Sequence, residues 1–217
     1  MADQTQRRIT MVDTQVRPSD VTKFPILDAM LSVPRDVYVP DAKRDLAYID
    51  TPIDLGGGRQ LLDARAIAKL LEALTPSPSD LVLEIGCATG YTTALLARMA
   101  EAVVALEEDE HLAHDAETTL SDQGVDNAAV VTGALAEGSA KHGPFDMVMI
   151  FGGVQTMPAA IIDQLKDGGH IAAIFMNGAV GEARVGVKSS GRISWRMAFN
   201  ATAPILPGFE KAPSFAF

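Results

Sequence analysis

The sequence has very little cysteine and a shortage of positive charge. A single cysteine, Cys87, occurs among the 217 residues, so no disulfide bond can form within the chain. Such scarcity is typical of proteins in a reducing compartment, and we expect a cytoplasmic location. Lysine and arginine together number 18 against 28 aspartates and glutamates, for a formal net charge of -10. Because this charge repels phosphate backbones, we expect no nucleic-acid partner.

Long apolar segments are missing as well. The longest apolar run of the C-terminal half, from Ile171 to Met176, is far shorter than the roughly 20 residues that span a bilayer. The first residues lack the apolar stretch of a signal peptide. These absences predict a soluble protein without a membrane partner. His111 and His114 share a helix face, but a solvated face explains this spacing better, so we predict no metal site.

The sequence does contain enough apolar material for one core. Hydrophobic residues make up 47% of the chain, which is ordinary for a globular protein, and a chain of this length fills one core without needing a second. We therefore predict a single domain in three parts. These are an N-terminal helical and hairpin extension over residues 1–62, a core over 63–177, and a C-terminal hairpin and tail over 178–217.

The extension is predicted to be mostly helical. Apolar residues recur with helical spacing between Phe24 and Leu31, and Pro34 ends this helix. Three glycines at 56–58 break any regular element, and short extended pieces on either side of them predict a hairpin. Asp63 is placed to cap the next helix through its carboxylate.

From residue 81 onward, short apolar segments alternate with helical ones. Segments that are apolar throughout indicate buried strands of a parallel sheet, with the helices covering both faces. The predicted strands are residues 81–85, 103–106, 128–131, 146–150 and 171–176, and the predicted helices are residues 90–99, 109–122 and 158–165. Period-two alternation on both sides of residues 189–191 predicts an antiparallel hairpin at one sheet edge. The tail beyond it, with Pro204, Pro207 and Pro213, is predicted to wrap irregularly over the surface.

The stretch from Glu84 to Gly90, Glu-Ile-Gly-Cys-Ala-Thr-Gly, connects the first of these strands to its helix. Ligands of open parallel sheets bind beyond the carboxyl ends of the strands, where this turn lies. Its glycines, Gly86 and Gly90, let the backbone approach a ligand closely. A second acid, Glu107, ends the following strand and is placed to accept hydrogen bonds from a ribose diol. The pattern predicts a nucleoside-binding crevice, and glycines that serve packing alone are the alternative.

The charge of this turn favours one class of nucleoside ligand. A dinucleotide fingerprint would have a glycine at the position of Ala88, and Glu84 at the strand end would repel its pyrophosphate. The same acid suits the cationic amino and sulfonium groups of S-adenosylmethionine. We therefore favour a methyl donor as the cofactor, and a nicotinamide-dependent oxidoreductase is the weaker alternative.

Four segments carry a resemblance to a known family. Residues 82–97 contain Val-Leu-Glu-Ile-Gly, then Gly-Tyr, Thr-Ala and Leu-Ala at the family's spacing, and residues 30–40 read Met-Leu-Ser-Val-Pro-Arg-Asp-Val-Tyr-Val-Pro. Residues 143–146 are Gly-Pro-Phe-Asp, and residues 164–169 are Gln-Leu-Lys-Asp-Gly-Gly. Together these segments resemble the protein-L-isoaspartate O-methyltransferases over about residues 25–176.

The resemblance implies a fold, a reaction and a set of contacts. The fold is the α/β, Rossmann-like, seven-stranded sheet of S-adenosylmethionine-dependent methyltransferases, with helices on both faces and an N-terminal helical extension. The reaction transfers a methyl group to the side-chain carboxylate of isoaspartyl residues in damaged proteins, so a protein or peptide partner is expected. By the resemblance, Glu84, Gly86 and Gly90 lie along the methionine part of the cofactor and Glu107 holds the ribose. The expected cofactor-binding residues are Glu84, Gly86, Cys87, Ala88, Gly90, Tyr91, Glu107, Glu108, Gly133 and Ala134.

Three stretches depart from the family pattern. The family's hydroxyl-bearing substrate loop corresponds to residues 58–62, which contain no serine or threonine. Its Gly-Asp after the third sheet strand, whose acid contacts adenine, is Gly-Ala at 133–134, and its Thr-Ala-Ala-Pro after the fourth is Phe-Gly-Gly-Val at 151–154. These departures support a second hypothesis: a non-catalytic or regulatory protein that binds S-adenosylmethionine, or a methyltransferase with a different acceptor.

Arg59 and Gln60 are the candidate substrate-binding residues, because they occupy the place of that substrate loop. An arginine there is suited to pair with an acidic substrate in bidentate fashion. A solvent-exposed strand end is the alternative for both residues. No side chain of the sequence is assigned a catalytic role, since a carboxylate acceptor is already ionised and needs no strong base.

Overall fold

The computed structural model describes residues 3–211. Its N-terminal part is helical and ends in a hairpin, as the sequence predicts. The predicted helix forms over Phe24–Ser32 and ends just before Pro34. The elements of this part are α1 (Gln4–Met11), a π-helical turn (Val12–Val16), a 3-10 turn (Arg17–Ser19), α2 (Phe24–Ser32), two more 3-10 turns (Arg35–Tyr38 and Asp41–Leu46), and the strands β1 (Ile53–Gly56) and β2 (Arg59–Leu61).

Strands and helices alternate from Asp63 onward. The Asp63 carboxylate accepts a hydrogen bond of 2.8 Å from the backbone N–H of Ala66, so it caps the following helix as predicted. The elements are α3 (Ala64–Ala73), β3 (Leu81–Ile85), α4 (Tyr91–Ala97), β4 (Ala102–Glu107), α5 (Glu110–Asp122), β5 (Ala128–Thr132), β6 (Phe145–Val154), α6 (Ala159–Asp163), β7 (Leu165–Asn177), β8 (Val180–Ser189) and β9 (Arg192–Asn200).

The strands β3 to β9 form one seven-stranded sheet in the order β5-β4-β3-β6-β7-β8-β9. The first five strands in this order, β5, β4, β3, β6 and β7, pair in parallel, whereas β7–β8 and β8–β9 pair antiparallel. The predicted parallel sheet with a hairpin at one edge is confirmed. Strand β3 has β4 on one side and β6 on the other, so the order of the chain switches there. Crevices of open sheets lie at such a switch point, beyond the carboxyl ends of the strands.

Apolar side chains cover both faces of the sheet. Along β6, Met147 and Met149 belong to the cluster that includes the N-terminal helices, α3 and α4. Their neighbours Val148 and Ile150 belong to a second cluster, which includes Ile161 of α6. Because successive residues of a strand point to opposite faces, the two clusters lie on opposite sides of the sheet. Within the described residues, no helix has both the length and the apolar character needed to cross a bilayer.

The junction of α6 and β7 differs from its prediction. The predicted helix over 158–165 ends at Asp163, and β7 begins at Leu165 instead of residue 171. Hydrogen bonds hold this early start: the N–H of Phe145 donates to the carbonyl of Gln164 (2.8 Å), and the ammonium of Lys188 donates to that of Leu165 (2.6 Å). The glycines at 168–169 therefore lie within the strand span and do not end a helix.

The edge strand β9 carries the only tryptophan of the sequence. Trp195 meets Phe175 of β7 edge-on, with ring centroids 4.8 Å apart. Its cross-strand partner on β8 is Gly186. A Cβ on Gly186 would approach the Trp195 ring to 3.1 Å, so the glycine makes room for the indole over the hairpin.

The tail after β9 returns to the middle of the sheet. The N–H of Gly153 donates to the carbonyl of Pro204 (2.7 Å), and the N–H of Leu206 donates to the carbonyl of Gly153 (2.9 Å). Leu206 and Phe209 are buried. The prediction of a surface wrap is therefore wrong for this stretch, because apolar side chains and strand-like hydrogen bonds hold it against the end of β6. Pro213 lies outside the described residues.

Candidate functional site

The turn after β3 has the backbone that its glycines suggest. The φ angle is +78° at Gly86, +51° at Ala88 and +90° at Gly90. The N–H groups of Gly86 and Cys87 both donate to the carbonyl of Leu106, at 2.9 and 3.2 Å, which fastens the turn to β4. At Gly90 an added Cβ would come within 3.3 Å of side chains of α5. Glycine is thus required there for packing as well as for conformation.

The Glu84 carboxyl lies inside the protein, at the end of β3. It is completely buried, and its two oxygens accept hydrogen bonds from the hydroxyls of Thr92 and Thr93 at the start of α4. Burial raises the pKa of the Glu84 carboxyl to about 7, and the two hydroxyl bonds oppose this shift. In this conformation the Glu84 side chain ties the strand to the helix, and its contact with the cationic end of a ligand stays a prediction.

We expect Glu84→Gln to flatten the pH dependence of stability. In the folded protein the carboxyl titrates near 7, above its ordinary pKa of 4.5. The unfolded state therefore loses its proton first, and the free energy of unfolding falls as pH rises through this interval. At about 1.4 kcal/mol per pKa unit, the free energy of unfolding falls by about 3 kcal/mol. A glutamine does not titrate, so the variant does not show this fall.

Denaturant unfolding of wild type and variant across this pH interval measures the effect. Glu101→Gln is the matched control, because Glu101 is exposed and its change is expected to leave the wild-type slope in place. A Glu84→Gln variant that keeps the full wild-type slope would contradict the described burial.

Glu107, at the end of β4, is fully buried and accepts five hydrogen bonds. Three come from the backbone N–H groups of Ala88 (2.7 Å), Glu108 (2.9 Å) and Asp109 (3.2 Å). The other two come from the guanidinium of Arg59, with Nη1 on Oε1 and Nη2 on Oε2, the latter at 2.8 Å. The structure therefore joins the predicted ribose acceptor to the predicted substrate-binding arginine in a bidentate ion pair.

Arg59 is not a solvent-exposed strand end, since only 7% of it is exposed. Its Nη2 atom lies 3.1 Å from the position that a Cβ on Gly86 would take. The guanidinium thus covers the turn as well as the Glu107 carboxylate. The sequence identified both charged residues but placed them in different roles, one on the cofactor and one on the substrate.

Leu206 of the tail is the second side chain in the crevice, and the sequence analysis missed it. Its methyl groups lie 3.1 and 3.4 Å from the Cβ position of Gly86. On the other side, its side chain comes within 2.5 Å of the Cβ position of Gly152, at the end of β6. Glycine at 152 is therefore what lets Leu206 enter. The departure from the family pattern at residues 151–154 was the one available signal for this contact.

The remaining predicted residues occupy the surroundings of this crevice. Cys87 is buried, which raises the pKa of its thiol, and it packs with small residues of the core, as expected. Tyr91 is also buried, with its ring against Tyr38 (5.8 Å between centroids) and beneath the Arg35 guanidinium (4.9 Å). The Tyr91 side chain thus packs in the core, and its assignment to the cofactor stays a prediction.

The other predicted positions lie at the outer margin. Glu108 contributes its backbone N–H to Glu107, and its own side chain is exposed. Gly133 donates its N–H to the Glu107 carbonyl at 3.0 Å and is half-buried, whereas Ala134 is exposed. Gln60 is half-buried on β2 opposite Asp54 of the hairpin. These residues therefore surround the ion pair without entering it.

Surface cavities occur at other places on the described residues. Five cavities of the described residues have volumes between 200 and 460 Å³, and neither Gly86 nor Glu107 lines any of these five. One of them, of 390 Å³, reaches the turn only at Thr89. Within residues 3–211, no group of three or more His, Cys, Asp or Glu side chains is arranged to hold a metal ion.

Solved structures share this architecture. One named protein-L-isoaspartate O-methyltransferase superposes with a TM-score of 0.80 at 20% identity, over 95% of this chain and 66% of that one. A second, from Plasmodium falciparum and in complex with S-adenosyl-L-homocysteine, gives a TM-score of 0.79 at 18% identity, over 95% and 99% of the two chains. At these identities the likeness establishes the fold, including the seven-stranded sheet and both terminal additions.

Sequence comparison gives the family. The profile described as Protein-L-isoaspartate(D-aspartate) O-methyltransferase (PCMT) matches residues 7–191. A protein-L-isoaspartate O-methyltransferase of Syntrophus aciditrophicus is 37% identical over 172 residues, 79% of each chain. One of Koribacter versatilis is 35% identical over 164 residues, 76% of this chain and 74% of its own. Because the matched segment contains the turn, both buried acids and the strands that carry them, the chain belongs to the protein-L-isoaspartate(D-aspartate) O-methyltransferase family.

Proposed function

We propose that this protein is an S-adenosylmethionine-dependent methyltransferase that acts on the side-chain carboxylate of isoaspartyl residues in proteins. The observation that carries the proposal is the family match over residues 7–191, which includes the turn from Glu84 to Gly90 and the acid Glu107. A role in repair of damaged protein in the cytoplasm is part of the same proposal. The single cysteine supports that location. The acidic composition argues against a nucleic-acid partner.

The reaction does not need a strong general base. An isoaspartyl carboxylate is ionised at neutral pH, so the acceptor oxygen is already a nucleophile. Holding two reactants in line supplies about 7–11 kcal/mol of a typical barrier. The missing hydroxyl of the substrate loop is therefore compatible with methyl transfer, and it bears on how the acceptor is recognised.

The backbone of the crevice is suited to a nucleoside cofactor, but two side chains occupy the place that the cofactor needs. The left-handed turn and the buried acid at the end of β4 are suited to a ribose. In this conformation, however, Arg59 holds both oxygens of Glu107 and Leu206 lies over Gly86. The cofactor does not fit while these two side chains stay where they are.

A methyl-transfer assay tests the proposed function. The substrate is a peptide with one isoaspartyl residue, and the matched control is the same peptide with ordinary aspartate. With methyl-labelled S-adenosylmethionine, we expect label on the isoaspartyl peptide alone. If neither peptide is labelled but the protein binds S-adenosylhomocysteine in a separate titration, the acceptor is a different one.

The second candidate is a family member without catalytic activity. The observation that favours it is the buried ion pair between Arg59 and Glu107, together with the missing adenine-contacting acid at Ala134. For this candidate, we expect neither S-adenosylmethionine nor S-adenosylhomocysteine to bind in calorimetric titration at millimolar ligand.

A further inference from the structure

We propose that the chain closes its own cofactor crevice with a plug made of Arg59 and Leu206, and that a nucleoside binds only after both side chains have left. This inference rests on the proposed function. It assigns to Arg59 a role as a competitor of the ribose, in place of the predicted role in substrate binding.

The hydrogen-bonding capacity of Glu107 supports this role for Arg59. A carboxylate offers about four lone-pair positions, and Glu107 already accepts five hydrogen bonds. The three backbone donors are fixed by the turn and by the start of α5. The two N–H groups of the arginine are the pair that two ribose hydroxyls can replace one for one. A diol therefore cannot be added to Glu107 and has to be exchanged for Arg59.

Leu206 closes the crevice from the opposite side. Its side chain lies between Gly86 and Gly152, at the carboxyl ends of β3 and β6. The two hydrogen bonds that join Gly153 to Pro204 and Leu206 hold it there. The apolar side chain excludes from the turn both water and any ligand that has not displaced it.

Both parts of the plug come from segments outside the strand pairing of the large sheet. Arg59 lies on β2, which pairs only with β1 in a separate two-stranded sheet. Leu206 belongs to the tail, which joins the end of β6 through an isolated bridge between Gly153 and Ile205. The N–H groups of Gln155 and Thr156 also donate to the carbonyl of Phe209. Opening therefore requires displacement of a short hairpin strand and a tail, and the seven-stranded frame stays intact.

A closed state of this kind lowers the apparent affinity for ligand. The apparent dissociation constant is the intrinsic constant divided by the fraction of molecules that are open. Removing either part of the plug raises that fraction. The structure thus predicts that truncating a side chain outside the ligand contacts strengthens binding, which is the opposite of the usual effect of a truncation.

Calorimetric titration with S-adenosylhomocysteine tests the plug. We expect Arg59→Met and Leu206→Ala each to bind this nucleoside about tenfold or more tightly than wild type, since each variant increases the open fraction. The matched controls are Arg98→Met, which removes an arginine from a surface pair with Asp28 (3.1 Å), and Leu165→Ala, which truncates a buried leucine at the start of β7. Both controls are expected to bind as wild type does.

Hydrogen exchange of the wild-type protein provides a test that needs no variant. At saturating S-adenosylhomocysteine we expect the amides of residues 203–209 to exchange faster, because the tail has left β6. If wild type binds the nucleoside and both variants bind it with the same affinity, the plug is overturned and the proposed function stands. The same holds if wild type binds and its tail exchanges no faster. Absence of binding in wild type and in both variants overturns the proposed function, and the plug with it.

Discussion

Glu107→Ala is expected to lower the free energy of unfolding by about 3–5 kcal/mol, the usual cost of removing one partner of a buried ion pair. The loss has two sources. The Arg59 guanidinium is left 7% exposed and without its carboxylate. The backbone N–H groups of Ala88, Glu108 and Asp109 lose their acceptor. Denaturant unfolding at neutral pH measures the change.

A paired substitution separates the ion pair from its backbone contacts. In the double variant Arg59→Met, Glu107→Gln, the glutamine oxygen still accepts from backbone N–H groups, and no charge is left unpaired. We expect this double variant to recover most of the loss, because replacing both members of a buried pair is often close to neutral. A loss of less than about 1 kcal/mol in Glu107→Ala would contradict the buried pair, since that is the range of exposed ion pairs.

Arg35→Met is expected to lower the free energy of unfolding by about 2–4 kcal/mol. Arg35 is completely buried, and burial lowers the pKa of its guanidinium. Its Nε donates to the carbonyl of Ala47 (2.8 Å) and its Nη2 to that of Leu62 (2.7 Å). Methionine fills a similar volume but donates to neither, so both buried carbonyls lose a partner.

Arg44→Met is the control for this prediction. Arg44 follows in the next 3-10 turn and pairs with Asp41 at 3.3 Å, with about half of its side chain exposed. We expect a change of less than about 1 kcal/mol, as is usual for a surface pair. Equal losses in the two variants would mean that the carbonyl contacts of Arg35 contribute little to stability.

The sheet was predictable from the sequence because its signals are local. Each central strand is mostly apolar, and Asp63 stands directly before the helix that it caps. The extent of β7 was not predictable, because Lys188 and Phe145, which hold its early start, are distant in the chain. Periodicity reports the face that a segment buries, and it contains no information about where pairing with a remote strand begins.

The candidate site was predictable in its backbone and not in its side-chain pairing. The glycines and Glu107 follow a known spacing, and the structure brings them together at the carboxyl ends of β3 and β4. The partner of Glu107 is Arg59, 48 residues earlier in the sequence, and no local pattern connects the two. Leu206 lies in a proline-containing tail without periodicity, so no local pattern reports the room that Gly152 leaves for it.

The single tryptophan, Trp195, is placed to serve as an intrinsic fluorescence probe. Trp195 contacts the Phe175 ring on the edge hairpin. Strand β9 ends at Asn200, and the chain first bonds to Gly153 at Pro204, only a few residues later. Because this connection is short, we expect departure of the tail to change the surroundings of the indole. Emission from unlabelled protein therefore offers a way to time the release of the tail in a stopped-flow instrument.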